Sequence, residues 1–498
     1  MRNRSICFLT VLFIAFAICS SAFGQGDDWY MSAANYARYY HFDSTKTDSA
    51  ATRFQFDFYM GEFYTGAWFE AKHVMEESGF NFTSNGLTQR YFGWENKGFT
   101  IHAGNFYQVY DRGLALNTFR DDEVGVDLVL DGLQIDWRHK FIDFNVLSAT
   151  SNSGGGFALP IVRGARAKIK PLKMFHLGGA YVSFTENTRT NLSQVNARFL
   201  HDYGEAYIEY AQKKYRYEDI FDPALSKNLS GDGTYANIMA YYSNVSLFLE
   251  YKNYIFLIYP ELGYLNTPPA ANRQDRLLQT EAFNSFQHIN GERGYRGNLT
   301  FSANEYWSIE FDYSKSIARD TLSMKFTEQF AEIRGNYFGN NTFFVNLDKI
   351  DYSWTANNFQ GQPTHYYRNE LKPMIEIDYE LDDFHLLTLD AFIINYDLPS
   401  IADTLDLFAD STDYSEKNIS LTFSKAPYLR FTLGGSWSDN EQSHDPDRMI
   451  FAEATYTFGN HDLVLFYGGQ RGGLVCSGGV CVYHDTFEGF RATLISRL

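Results

Sequence analysis

The chain has 498 residues and a formal net charge of −18, from 42 Lys and Arg against 60 Asp and Glu. That balance excludes a general nucleic-acid binder, because phosphate contacts need a net basic face. Aromatics are 18% of the residues, with 45 Phe and 36 Tyr, yet the mean hydropathy is only −0.33.

The chain opens on MRNRSICFLTVLFIAFAICSSAFGQ. Arg2 and Arg4 make a positive start, Ile6 to Ile18 an apolar run, and Ala22-Phe23-Gly24 a small-x-small site. This predicts a secretory signal peptide over residues 1–24, with the mature chain starting at Gln25. The run is too short for a spanning helix, which needs about 20 apolar residues. Ile18 is too bulky for a lipoprotein signal at Cys19. Removing the leader takes away two arginines and no acid, so the charge moves from −18 to −20. Of the four cysteines it leaves Cys476 and Cys481.

From Trp29 onward one pattern repeats. In RFQFDFYM, Phe54, Phe56, Phe58 and Met60 alternate with Arg53, Gln55, Asp57 and Tyr59. In WSIEFDYSK, Trp307, Ile309, Phe311 and Tyr313 alternate with Ser308, Glu310, Asp312 and Ser314. VSLFLEYK and AEATYTF read the same way, with Phe248 as an exception. A period of two is the strand signature. The frequent charge on the polar face suits a wet interior, and the aromatics near strand ends suit an interfacial girdle. A soluble all-β protein is the competing reading.

Short connections (MGEF after residue 59, ENKG at 95–98, HDYG at 201–204, SKAP at 424–427, FGNHD at 458–462) alternate with long ones near 75–86, 109–129, 214–232, 254–292, 396–411 and 471–484. This predicts a large antiparallel transmembrane β-barrel of about 24 strands, within 22–26, with short periplasmic turns and long extracellular loops. No linker divides residues 25–498, so they form one barrel domain. Alternation begins almost at Trp29, which leaves no room for the large folded plug of an energy-coupled transporter. The last strand, TFEGFRATLISRL, ends on Leu498 where such barrels usually end on an aromatic that the insertion machinery reads.

Residues 104–132 read GNFYQVYDRGLALNTFRDDEVGVDLVLDG. With RGARAKIKP, NTPPAANRQDRLLQT and GGQRGGLVCSGGVC, this resembles an uncharacterised, porin-like family of Gram-negative outer-membrane barrel proteins. The resemblance implies the barrel fold and the outer membrane over nearly the whole mature chain. It implies no substrate and no active site.

Within that stretch, 109–129 breaks the alternation and packs Asp111, Arg112, Arg120, Asp121, Asp122, Glu123 and Asp127 into one connection. Three arrangements are open: a loop folded into the lumen as a constriction, an exposed acidic loop, or a structural plug contact. A constriction would face opposite charge across the channel. Candidate wall partners lie in VRGARAKIK: Arg163 and, sharing one face, Arg166, Lys168 and Lys170. Facing lipid near mid-bilayer would cost those three about 2–4 kcal/mol each, so that face points to the lumen or lies near a rim.

No catalytic, nucleotide or dinucleotide motif is present, and the 12 histidines are scattered, so neither an enzyme nor a cofactor is expected. No metal site is expected either, since Asp445 and Asp447 lack calcium-loop spacing and His484 alone stands near the cysteines. The expected function is passive or weakly selective passage of small solutes. The alternative is a structural or ligand-binding barrel acting through loops such as YIFLIYPELGYLNTPP at 254–269. Expected partners are outer-membrane lipid and lipopolysaccharide, the insertion machinery and small solutes. Cys476 and Cys481 fall in the last outward loop, an oxidising place where SGGV between them can turn the chain into a disulfide.

Overall fold

A computed structural model describes Trp29 to Arg497, apart from residues 77–80, 122–125, 152–159, 186–188, 218–226, 258–290, 319–323, 338, 340, 358–362, 398–412, 441–445, 478–479 and 485. The signal-peptide reading, Asp122, Glu123, Asp445 and most of 254–292 therefore lie outside the described residues.

Twenty-four strands form one antiparallel sheet. Each pairs with the next in sequence, and the first, Trp29–Phe42, also pairs with the last, Phe487–Arg497, from Ala34↔Arg497 to Phe42↔Gly489. That contact closes the sheet into a barrel and removes both edges. Strands about 4.8 Å apart and tilted about 40° make a circular ring of 24 roughly 48 Å across, wider than the 16–18-stranded barrels that already leave an aqueous channel.

All five short connections read from sequence fall on one rim, between strands such as Thr47–Met60 and Phe63–Met75, Gly204–Tyr217 and its predecessor Arg189–His201, and Arg448–Phe458 and His461–Gln470. The long ones fall on the other rim. Their extents differ from the sequence reading. Asn81–Asn96 and Lys227–Tyr242 begin inside the stretches taken as loops at 75–86 and 214–232. There the strand backbone continues to pair above the apolar band, where both faces are polar and the period of two disappears.

The outward face carries an apolar band about four residues tall on each strand. It is Trp307, Ile309, Phe311 and Tyr313 on one, and Ile419, Leu421 and Phe423 on another. Alternate residues over eight positions give a height of about 20 Å at such a tilt, close to the lipid-facing band of transmembrane barrels. Large apolar side chains stay exposed there, among them Leu133, Phe311, Leu433 and Ile375. The inward face is charged and hydrogen-bonded. Arg296 forks onto Asp312 at 2.7 Å, Lys252 meets Glu292 at 2.6 Å, and Glu370 takes Arg368 and Lys372 at 2.9 Å each.

Candidate functional site: a hairpin inside the barrel

The described residues of the segment between strands Phe99–Phe106 and Leu130–Arg138 do not stand up from the rim. They fold into the lumen as a small hairpin. Thr118 N donates to Gln108 O (3.1 Å), Tyr110 N to Leu116 O (2.9 Å) and Gly113 N to Tyr110 O (2.9 Å). The tip reverses through left-handed backbone at Asp111 (φ 54°) and Gly113 (φ 90°). Glycine takes that conformation freely and aspartate tolerates it better than most residues.

The hairpin has its own core. Tyr110, Leu114, Ala115 and Leu116 are fully buried. They pack with Leu147, Ala149, Val162, Ala180, Val182, Phe184 and Leu192, which line the inner wall. The barrel interior is thus apolar where the hairpin lies on it. Burying each leucine contributes about 1.5–3 kcal/mol. Tyr110 Oη donates to Asn145 Oδ1 at 2.6 Å, and burial pushes its phenol above the usual tyrosine range. Gly164 makes room for this ring, since a Cβ there would sit 2.7 Å from Tyr110 Oη.

Polar groups pin the tip. The Asp111 carboxylate is 1% exposed and takes Lys168 Nζ at 3.1 Å, Gln194 Nε2 at 3.0 Å and Asn196 Nδ2 at 2.8 Å. Gln194 Oε1 accepts from Ala115 N at 3.2 Å, and Glu209 accepts from Arg112 N at 3.1 Å. The Arg112 guanidinium lies 3.8 Å from Glu205 and 5.4 Å from the Tyr207 ring centre. A second clasp holds the returning arm on the opposite side. Arg120 joins Glu70 (2.8 Å) and Asp127 (3.1 Å) and covers the Trp68 ring at 5.1 Å. Asp127 also accepts from Tyr107 Oη at 2.8 Å.

Of the residues singled out from sequence, Asp111, Arg112, Arg166 and Lys168 come together, with Arg166 lying 5.7 Å from the Tyr110 ring centre. Arg120 and Asp127 form the separate clasp. Asp121 pairs through its backbone with Val126. Lys170 turns to Asp143 at 2.6 Å and does not meet the hairpin. Arg163 is exposed on the outward face, between the inward Val162 and Gly164. Sequence reading missed Asn145, Gln194, Asn196 and Glu209, which look like any other polar residues of a wet face, and Gly164, whose role needs the opposing ring to be seen.

Further round the lumen the wall is acidic. Glu310 stands opposite Glu332, which also takes Arg334 at 3.2 Å, and Glu376 opposite Asp390, on adjacent strands. Asp378, next on the same face as Glu376, accepts from Thr342 (2.8 Å) and Thr388 (2.6 Å). Like charges directly opposed destabilise a sheet and project a negative potential into the space they face.

The model of a family of unknown function, DUF6029, matches residues 3–332 and 404–498. The chain belongs to that family. No curated protein sequence matches this DUF6029 protein. Among solved structures, a chain of the E. coli P pilus tip assembly intermediate PapC–PapD–PapK–PapG superposes with a TM-score of 0.57 at 11% identity, over 96% of this chain and 62% of that one. The DUF6029 chain therefore spans less than two thirds of that protein's length. The P pilus usher (PapC) translocation pore gives 0.49 at 12% identity, covering 95% and 98% of the two chains. Pseudomonas aeruginosa OccK2 with glucuronate gives 0.39 at 12%, covering 72% and 99%. What the DUF6029 protein shares with the first of these is the barrel fold.

Proposed function

We propose that this protein is an outer-membrane channel, exported by a leader cleaved after Gly24, through which small solutes pass without energy input. The inward hairpin with its own buried core carries the reading. A loop of that kind narrows a wide lumen from one side without filling it, and its pins make it a fixed constriction. The polar inner wall and apolar outer band support a water-filled passage through lipid. The facing carboxylates Glu310, Glu332, Glu376, Asp378 and Asp390 give the passage a preference for cations.

Planar-bilayer recording tests this. The purified, heat-modifiable barrel gives step-like currents, and a salt gradient gives a cation-selective reversal potential. A combined Glu310→Gln, Glu376→Gln, Asp390→Asn variant moves that potential towards anions. A folded barrel with no steps would overturn the channel in favour of a structural or loop-binding barrel, and steps with an unmoved potential would overturn the role of the acidic wall.

A further inference from the structure

The outward face carries a cluster that passage of solutes does not use. On three adjacent strands, Gly291–Ser302, Trp307–Ala318 and Lys325–Tyr337, Ile317 has Arg293 directly opposite on one side and Lys325 directly opposite on the other. Lys315 lies two residues below Ile317 on the same face. The alternation fixes their direction. Lys315 sits between Ser314 and Ser316, both buried on the inner wall, and Arg293 between buried Glu292 and Gly294. Directly opposed partners are about 5 Å apart, so the three cations gather within roughly 10 Å of backbone.

Their height is set by what lies beneath. Tyr295 is the register partner of both Tyr251 and Lys315, and its ring stacks on Tyr313 at 6.0 Å. These three tyrosines stand at the top of the apolar band, on the long-loop rim, as a girdle does at a headgroup layer. Arg293 and Lys325 are exposed, and none of the three cations is paired with a carboxylate among the described residues. On the next strand Asp351, the register partner of Thr327, is engaged by Lys349 at 3.3 Å. Three cations facing lipid headgroups, with no carboxylate partner among the described residues, suit an anionic headgroup, and a zwitterionic one brings its own competing cation.

We propose that Arg293, Lys315 and Lys325 form a clasp for the phosphates of a bisphosphorylated outer-leaflet glycolipid of the lipid A type. The clasp holds the lipid against the Tyr251–Tyr295–Tyr313 girdle. This inference rests on the outer-membrane location in the proposed function and is independent of conductance.

The test is native mass spectrometry and binding titration of the full chain in nanodiscs, with added bisphosphorylated lipid A, dephosphorylated lipid A and phosphatidylglycerol as probes. The wild type retains bisphosphorylated lipid A, and the variant Arg293→Gln, Lys315→Gln, Lys325→Gln binds it at least tenfold more weakly. That variant keeps its heat-modifiable band and its single-channel conductance. Should it unfold, each single substitution is measured in its place. Equal binding of the wild type and the folded variant, equal retention of the dephosphorylated lipid or of phosphatidylglycerol, or crosslinking of this face to a second copy would each overturn the clasp. A conductance failure with lipid binding intact would touch only the channel.

Discussion

Asp111 is the residue on which the placement of the hairpin turns. Replacing it with alanine removes a buried carboxylate and leaves the Lys168 ammonium and the amides of Gln194 and Asn196 without their acceptor. Breaking a fully buried ion pair costs about 3–5 kcal/mol. Lys168 is 21% exposed, so water recovers part of its solvation, and about 2–3 kcal/mol is the better figure. Alanine at a φ of 54° adds about 1 kcal/mol that aspartate largely avoids. Together these predict about 3–4 kcal/mol lost from the closed hairpin, or two to three orders of magnitude more local opening. Hydrogen exchange resolved to residues 108–118 reads this directly, with strand Ile161–Leu172 as the internal reference. Asp111→Asn keeps an acceptor and the tolerance for left-handed backbone, so its exchange falls between wild type and Asp111→Ala. If exchange in 108–118 is the same in Asp111→Ala as in wild type, the carboxylate does not pin the hairpin and the fixed constriction loses its basis.

Gly164→Val places side-chain atoms where Tyr110 Oη lies, so it opens the same segment to exchange while the barrel keeps its heat-modifiable band. Leu433 is 50% exposed in the middle of the outward band, so Leu433→Arg costs about 2–4 kcal/mol of membrane stability. It lowers the urea midpoint of the refolded barrel in lipid, whereas Lys417→Ala at the band's edge leaves that midpoint unmoved. Cys476 and Cys481 are direct register partners in the hairpin Gly473–Ser477/Val480–His484, and such partners have Cα atoms about 4.5–5.5 Å apart, within reach of a disulfide. Iodoacetamide therefore labels neither cysteine in the unreduced protein and both after reduction.

How far the sequence carried depended on what each stretch packs against. In the band, lipid outside and water inside impose opposite chemistry on alternate residues, so Phe54, Phe56 and Phe58 announce a strand without help from the fold. Above the band, water lies on both sides. There NFTSNGLT, from Asn81, pairs as strand with no period to betray it. The hairpin tip was harder still. DRGLALN shows two positive-φ residues and two leucines, but its core is shared with Leu147, Val182 and Leu192. Those three are apolar residues on an otherwise polar inner face. An apolar residue on the wet side of a barrel strand is therefore informative only in company. A single one, such as Phe248, says little. A patch of them on four neighbouring strands, from Leu147 to Leu192, means that something lies on the wall there, and here it is the hairpin tip from Tyr110 to Leu116. The Asp111 contacts carry no such signal, because they depend on amide side chains that any wet face could carry.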